Sequence, residues 1–252
     1  MKSMHIPILY GSQTGNSELA AQNLASSLPS TLNSPSSSVQ ITSEALELDD
    51  FLEHRKGAWT PLIIIICSSY GVGQAPMGAW KFREMCDLIL AENDKYASHF
   101  QGVQYALLGL GDSKYTTFFL NPTALDSAMA KAGAVRVGSL GKADASGEGD
   151  QLQQTVIEQW CESIVDDLKR VVDQLGKMDD VQWEGKEEEM AKAKENTGEL
   201  CRLIYDDWDE KKQGGDGSAD EKSALGGTLQ QFLIFLLGIL LAYFVFPMFK
   251  SE

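Results

Sequence analysis

Ile6-Pro7-Ile8-Leu9-Tyr10-Gly11-Ser12-Gln13-Thr14-Gly15-Asn16-Ser17 runs from an apolar strand into a loop of glycines and hydroxyls, and Glu18-Leu19-Ala20-Ala21-Gln22-Asn23-Leu24 follows with helical spacing. A strand that breaks in this way and opens a helix gathers free backbone N–H groups and the positive end of the helix dipole at one point, which suits a phosphate. The loop contains no Lys or Arg, and it lacks the Gly-Lys-Ser/Thr ending that reaches the outer phosphates of a nucleoside triphosphate. A monophosphate is the better match.

Working outward, the chain of 252 residues is long enough for one buried α/β domain with further segments attached. Its formal net charge is −15 and it has no Lys/Arg-rich run, so the footprint of a nucleic-acid binder is missing and basic protein surfaces are the expected partners. Cys67, Cys86, Cys161 and Cys201 are far apart, with no C-x-x-C spacing and no His cluster, which argues against zinc, an iron–sulfur cluster or a disulfide framework. No Ser/His/Asp constellation is visible either, and His5, His54 and His99 are scattered.

Strand and helix signals alternate. A helix is expected over 17–28, a Ser/Pro-rich loop over 29–38 and a short strand over 39–42. Leu62 to Cys67 is an unbroken apolar run of six residues, the pattern of a central parallel strand buried on both faces. A helix over 80–90, a strand over 105–110, a helix over 124–132 and a strand over 135–140 follow. From 151 to 175, Leu152, Val156, Trp160, Ile164, Leu168 and Val171 recur at helical spacing. Five β/α units imply an α/β fold with a doubly wound parallel sheet, whose ligand sits outside the carboxyl ends of the strands.

Two further loops leave strand ends on that side. Ser68-Ser69-Tyr70-Gly71-Val72-Gly73-Gln74-Ala75-Pro76 lets backbone approach a ligand closely and offers Tyr70 as a flat apolar face. Gly109-Leu110-Gly111-Asp112-Ser113-Lys114-Tyr115-Thr116-Thr117-Phe118 again places an aromatic after glycines. Two aromatics beside a phosphate cradle imply a planar heterocycle carrying one phosphate.

These three loops resemble, in order, the phosphate loop and the two flavin loops of the flavodoxin-like FMN-binding domain, in the version found in diflavin reductases. Leu107 to Phe118, followed by Leu140-Gly141-Lys142-Ala143-Asp144, is most similar to the FMN domain of methionine synthase reductases. The resemblance covers residues 4–175 and implies a five-stranded parallel sheet in the order 2-1-3-4-5. Its cofactor would be FMN. By the same resemblance Ser12, Gln13, Thr14, Gly15, Asn16 and Ser17 hold the phosphate. Ser68, Ser69, Tyr70, Gly71 and Gly73 line one face of the ring, with Leu110, Gly111, Asp112, Tyr115 and Phe118 on the other side and Asp144 close by. Gln74 stands where the family often has an acidic residue, and Phe119 and Leu120 delay Asn121 relative to the family pattern.

Residues 176–227 read as an acidic, largely flexible linker, in which Leu200 to Trp208 forms an apolar cluster. From Phe232 to Phe249 there are 18 residues without a charge, enough for a helix of about 27 Å, so residues 228–249 read as a C-terminal transmembrane helix. The expected protein is tail-anchored with its FMN domain in the cytosol, the thin endoplasmic reticulum bilayer fitting better than the mitochondrial outer membrane. The resemblance implies an electron carrier, rather than a complete enzyme, relaying electrons from a separate FAD/NADPH reductase to an acceptor such as a haem protein. The alternatives are an FMN-dependent NAD(P)H quinone reductase, a reactivation partner resembling methionine synthase reductase, and a membrane-tethered scaffold without cofactor.

Overall fold

The structure, a computed structural model, describes residues 2–33 and 39–205. β1 (Lys2–Gly11), β2 (Val39–Glu47), β3 (Leu62–Ser68), β4 (Gln104–Gly111), β5 (Val135–Arg136) and β6 (Gly141–Asp144) form one sheet. The order is β2-β1-β3-β4-β5, with β6 also on β4, and these pairings are all parallel. This is the order that the resemblance implies. Side chains alternate along β3, so Ile63, Ile65 and Cys67 enter the core on one face while Leu62, Ile64 and Ile66 enter it on the other.

α1 (Asn16–Leu32) and α5 (Gln153–Gly176) cover one face. α2 (Leu48–Glu53), α3 (Trp80–Ala91) and α4 (Leu120–Lys131) cover the other. α1 runs on through Pro29 to Leu32, into the expected loop, α2 was not expected, and three further elements differ from expectation. β2 runs to Glu47 because it pairs with β1 along its whole length, from Lys2 opposite Val39 to Tyr10 opposite Glu47. Of the expected strand over 135–140 only Val135–Arg136 forms, and the chain rejoins the sheet as β6 beyond it: Gly138, at φ 68 and pressed against Ile164, turns the chain out of line between β5 and β6.

The third difference is the largest. Instead of a flexible linker after residue 176, the chain forms α6 (Asp180–Ile204), opened by a capping box in which Asp179 and Gln182 satisfy each other's backbone N–H. The turn into α6 lies beside the start of β1, where Lys2 Nζ donates to Met178 O. Met190, Ala193, Leu200 and Cys201 of α6 then join the core on the α3 face, opposite the face that α5 covers. Trp59 donates its indole N–H to Thr197 Oγ1 across that contact at 2.7 Å.

Among the described residues no helix is long and apolar enough to cross a membrane. The apolar stretch expected to span, 228–249, and most of the linker beyond Tyr205 lie outside the described residues.

Candidate functional site

The loops after β1, β3, β4 and β6 meet at the carboxyl ends of the strands and enclose a cleft of about 390 Å³. The loop after β1 is closed on itself by a hydrogen bond from Gly15 N to Ser12 Oγ and anchored to its neighbour by Ser12 N donating to Met77 O, each 3.1 Å. Gly15 caps α1 at φ 91, a conformation that costs glycine little. It offers no side-chain cap, so the N–H groups of the first turn of α1 have no capping oxygen there. Ser17, in that turn, is fully buried, and its Oγ has no hydrogen-bond partner.

The loop after β3 is a tight turn in which Tyr70 and Gln74 exchange backbone hydrogen bonds of 3.0 and 2.8 Å. Ser69 N donates to Leu110 O at 2.8 Å, and Thr117 Oγ1 donates to Gly71 O at 3.2 Å, tying this loop to the one after β4. Gly111 is required by close packing, since a Cβ there would sit 2.8 Å from the Phe118 ring. The left-handed conformation of Phe119, φ 66, turns the chain into α4 and accommodates the late arrival of Asn121.

Two carboxylates stiffen the third loop. Asp112 Oδ1 accepts from Ser146 Oγ at 2.5 Å and from Lys114 N at 3.0 Å, which holds its carboxyl below the usual range. Asp144 Oδ1 accepts from Ser113 N and Ser146 N, both 2.9 Å. Burial opposes its ionisation, but these bonds outweigh burial and its pKa also falls below the ordinary value.

The structure places every expected site residue on the cleft wall except Gly15, Gly73 and Asp144. Gly15 and Gly73 shape their turns from behind, and Asp144 supports the wall through Ser113 and Ser146. Tyr70 and Tyr115 line the cleft while 50 % and 61 % exposed, whereas Tyr96 and Tyr105 are buried in the core. An exposed aromatic beside a cleft is free to stack; a packed one is not. Thr117, Ala145 and Gln153 also line the cleft and were not expected. Gln153 belongs to no loop motif; it arrives there only because α5 begins beside β6.

The wall carries no His, Cys, Lys or Arg, and Asp112 is its sole charged residue among those described. Such a site binds by main-chain N–H groups and hydroxyls, and the one carboxylate it offers, Asp112, is engaged by Ser146 and Lys114 N. The partnerless hydroxyls of Ser17 and Ser68 fit a phosphorylated ligand, because a buried donor without an acceptor is costly unless a ligand provides one. Fold and cleft together define a doubly wound α/β domain that holds a phosphate-bearing planar ring at the carboxyl ends of its strands.

Residues 8–160 match the model of the flavodoxin family. The chain belongs to that family, and the cofactor indicated is FMN. Among curated proteins it is 33 % identical over 161 residues to the pyruvate dehydrogenase (NADP+) of Cryptosporidium parvum, covering 63 % of this chain and 8 % of that protein. It is 32 % identical over 176 residues to NADPH-dependent diflavin oxidoreductase 1 of Schizosaccharomyces pombe, covering 68 % of this chain and 27 % of the relative. With the bifunctional cytochrome P450/NADPH–P450 reductase of Bacillus cereus it shares 31 % identity over 166 residues, or 64 % of this chain and 14 % of that one. The chain thus spans only a small part of the length of these relatives.

Proposed function

We propose that the protein is an electron carrier that takes electrons from a separate FAD/NADPH reductase and delivers them to an acceptor such as a haem protein. The observation that carries this reading is the cleft itself, lined by hydroxyls, amides and two exposed tyrosines with Asp112 as its single charged side chain. Ser12, Thr14 and Ser17 hydroxyls, with the N–H groups at the start of α1, would hold the FMN phosphate; Tyr70 and Tyr115 would flank the ring. Bound FMN supplies the redox chemistry, accepting electrons and passing them on singly. The protein's part is to fix the ring, limit its contact with water and present its edge. The net charge of −15 would draw the basic face of a partner toward that edge, faster at low salt.

Tail anchoring through 228–249, with the domain in the cytosol and the endoplasmic reticulum favoured, is part of the same proposal and rests on the uncharged run alone. A reductase-to-acceptor relay resembling that of methionine synthase reductase is a narrower form of it.

The test is made on full-length protein in detergent. Mass spectrometry of the released chromophore is expected to find FMN, and NADPH is expected to bleach it only after an FAD-containing reductase is added. Steady NADPH oxidation with a quinone and no reductase would establish the quinone reductase instead. Colourless protein that takes up no FMN would leave a scaffold. Carbonate extraction of cell membranes, with and without residues 228–249, tests the anchor separately.

A further inference from the structure

Arg83 lies on α3, outside the cleft and outside the three loops. By spacing alone it is one half of an i,i+4 surface pair with Asp87, whose Oδ1 accepts from its Nε at 2.8 Å. Its other end does something the spacing does not show. Nη1 donates to Asn121 Oδ1 at 2.9 Å and reaches Gly73 O at 3.5 Å, so one guanidinium joins α3 to α4 and to the loop after β3.

Asn121 is fully buried, and both ends of its amide are engaged. Oδ1 accepts from Arg83, and Nδ2 donates to Ser68 O at 2.9 Å and to Cys67 Sγ at 3.2 Å. Its backbone N donates to Ser69 Oγ at 3.3 Å. Arg83 and Asn121 therefore grip residues 68–74 at Ser68, Ser69 and Gly73, on either side of the half-exposed Tyr70. Without Arg83 the buried Oδ1 loses its donor, and the amide that holds Ser68 O is fixed by its Nδ2 end alone.

We propose that Arg83 and Asn121 are positioning residues that set the conformation of loop 68–74, and with it the placement of Tyr70 against the cofactor. The second half of that statement rests on the FMN reading of the cleft. Lys cannot replace Arg here without loss, because only the planar fork serves Asn121 and Asp87 at once.

The experiment compares full-length wild type with Arg83→Leu, Arg83→Lys and Asp87→Asn. Hydrogen exchange is followed on protein stripped of FMN, and the FMN Kd is read from flavin fluorescence. In Arg83→Leu the amides of residues 69–75 are expected to exchange about 10-fold faster while the β-strand amides do not change, with the Kd about 10-fold weaker. Arg83→Lys falls between, and Asp87→Asn stays near wild type. Loop exchange and Kd at wild-type values in Arg83→Leu, or exchange raised uniformly over the domain, overturns the proposal. Should Arg83→Leu not fold, an Arg83→Lys variant with unaltered loop exchange overturns it equally. If wild type binds no FMN, the cofactor reading falls, and the exchange comparison still decides whether Arg83 sets the loop.

Discussion

The side-chain amide of Asn16 donates to Gln153 Oε1 over 2.9 Å, joining the first residue of α1 to the first residue of α5 across the cleft. Gln153 Nε2 lies 3.4 Å from Gly111 O and 3.3 Å from Ala143 O, so one side chain ties the loop after β1 to the strand ends of β4 and β6. Replacing it with Ala removes those ties and leaves the core untouched. With about 1 kcal/mol for an exposed hydrogen bond, Gln153→Ala is expected to weaken FMN roughly fivefold with little change in melting temperature, measured by fluorescence titration and a thermal melt.

Ser17 yields a prediction with opposite signs in the two states. Its buried Oγ meets no hydrogen-bond partner from the protein, and an unsatisfied buried hydroxyl costs about 1–3 kcal/mol. Ser17→Ala is therefore expected to raise the melting temperature of FMN-free protein by about 2–4 °C and to weaken FMN binding about tenfold. Thermal melts with and without FMN check both at once. A fall in both would make Ser17 a packing residue.

α3 begins at a position that cannot cap itself, because Ala79 has no polar side chain. Asp49 of α2 caps it instead, Oδ2 accepting from Trp80 N at 2.9 Å and Oδ1 from Phe82 N at 3.0 Å. Burial nonetheless raises the Asp49 pKa, against the lowering effect of these bonds, so its charge is held at a cost. Asp49→Ala is expected to lose about 1–2 kcal/mol in urea unfolding, and Asp49→Asn less, since Asn keeps one acceptor without the charge.

The parts of this protein legible in its sequence are those where backbone demands fix the residue type. Glycines and hydroxyls after an apolar run mark the loops, and an unbroken Leu-Ile-Ile-Ile-Ile-Cys run marks a strand covered on both faces. What escaped is held by side chains distant in sequence. α6 is rich in charge, and two of its buried residues, Asn196 and Thr197, are polar; they meet His99 O and Trp59 Nε1, 97 and 138 residues earlier. Asp179 and Gln182 were the available signal, a capping box at the right spacing. Gln153 and Arg83 were invisible for the same reason, since neither lies within a loop motif.

The contact between Trp59 and Thr197 tests whether α6 is integral to the domain. Thr197→Val keeps the shape but leaves the buried indole N–H without an acceptor, and is expected to destabilise the protein by about 1–3 kcal/mol. Trp59→Phe alone removes the donor and some packing. The double variant is expected to be less destabilised than the sum of the two, because no buried polar group is left orphaned. Urea midpoints measure the cycle, and FMN affinity is expected to stay constant throughout.

Acid should open the third loop. Asp112 and Asp144 both have pKa values lowered in the fold from an ordinary value of about 3.9. Groups depressed in this way contribute stability that is present above the ordinary pKa and is lost as pH falls through the lowered one. Their hydrogen bonds to Ser146, Lys114 and Ser113 thus hold the cleft wall at neutral pH and fail only below about pH 4. The FMN phosphate titrates near pH 6 and affects affinity in every variant alike, so the informative quantity is the difference between variants. Asp144→Ala is expected to lose, at neutral pH, the support that wild type loses only in acid. Its FMN release, followed by the rise in flavin fluorescence, should therefore begin at a higher pH than in wild type. Superimposable release curves would mean that the two carboxylates brace the loop without governing the cofactor.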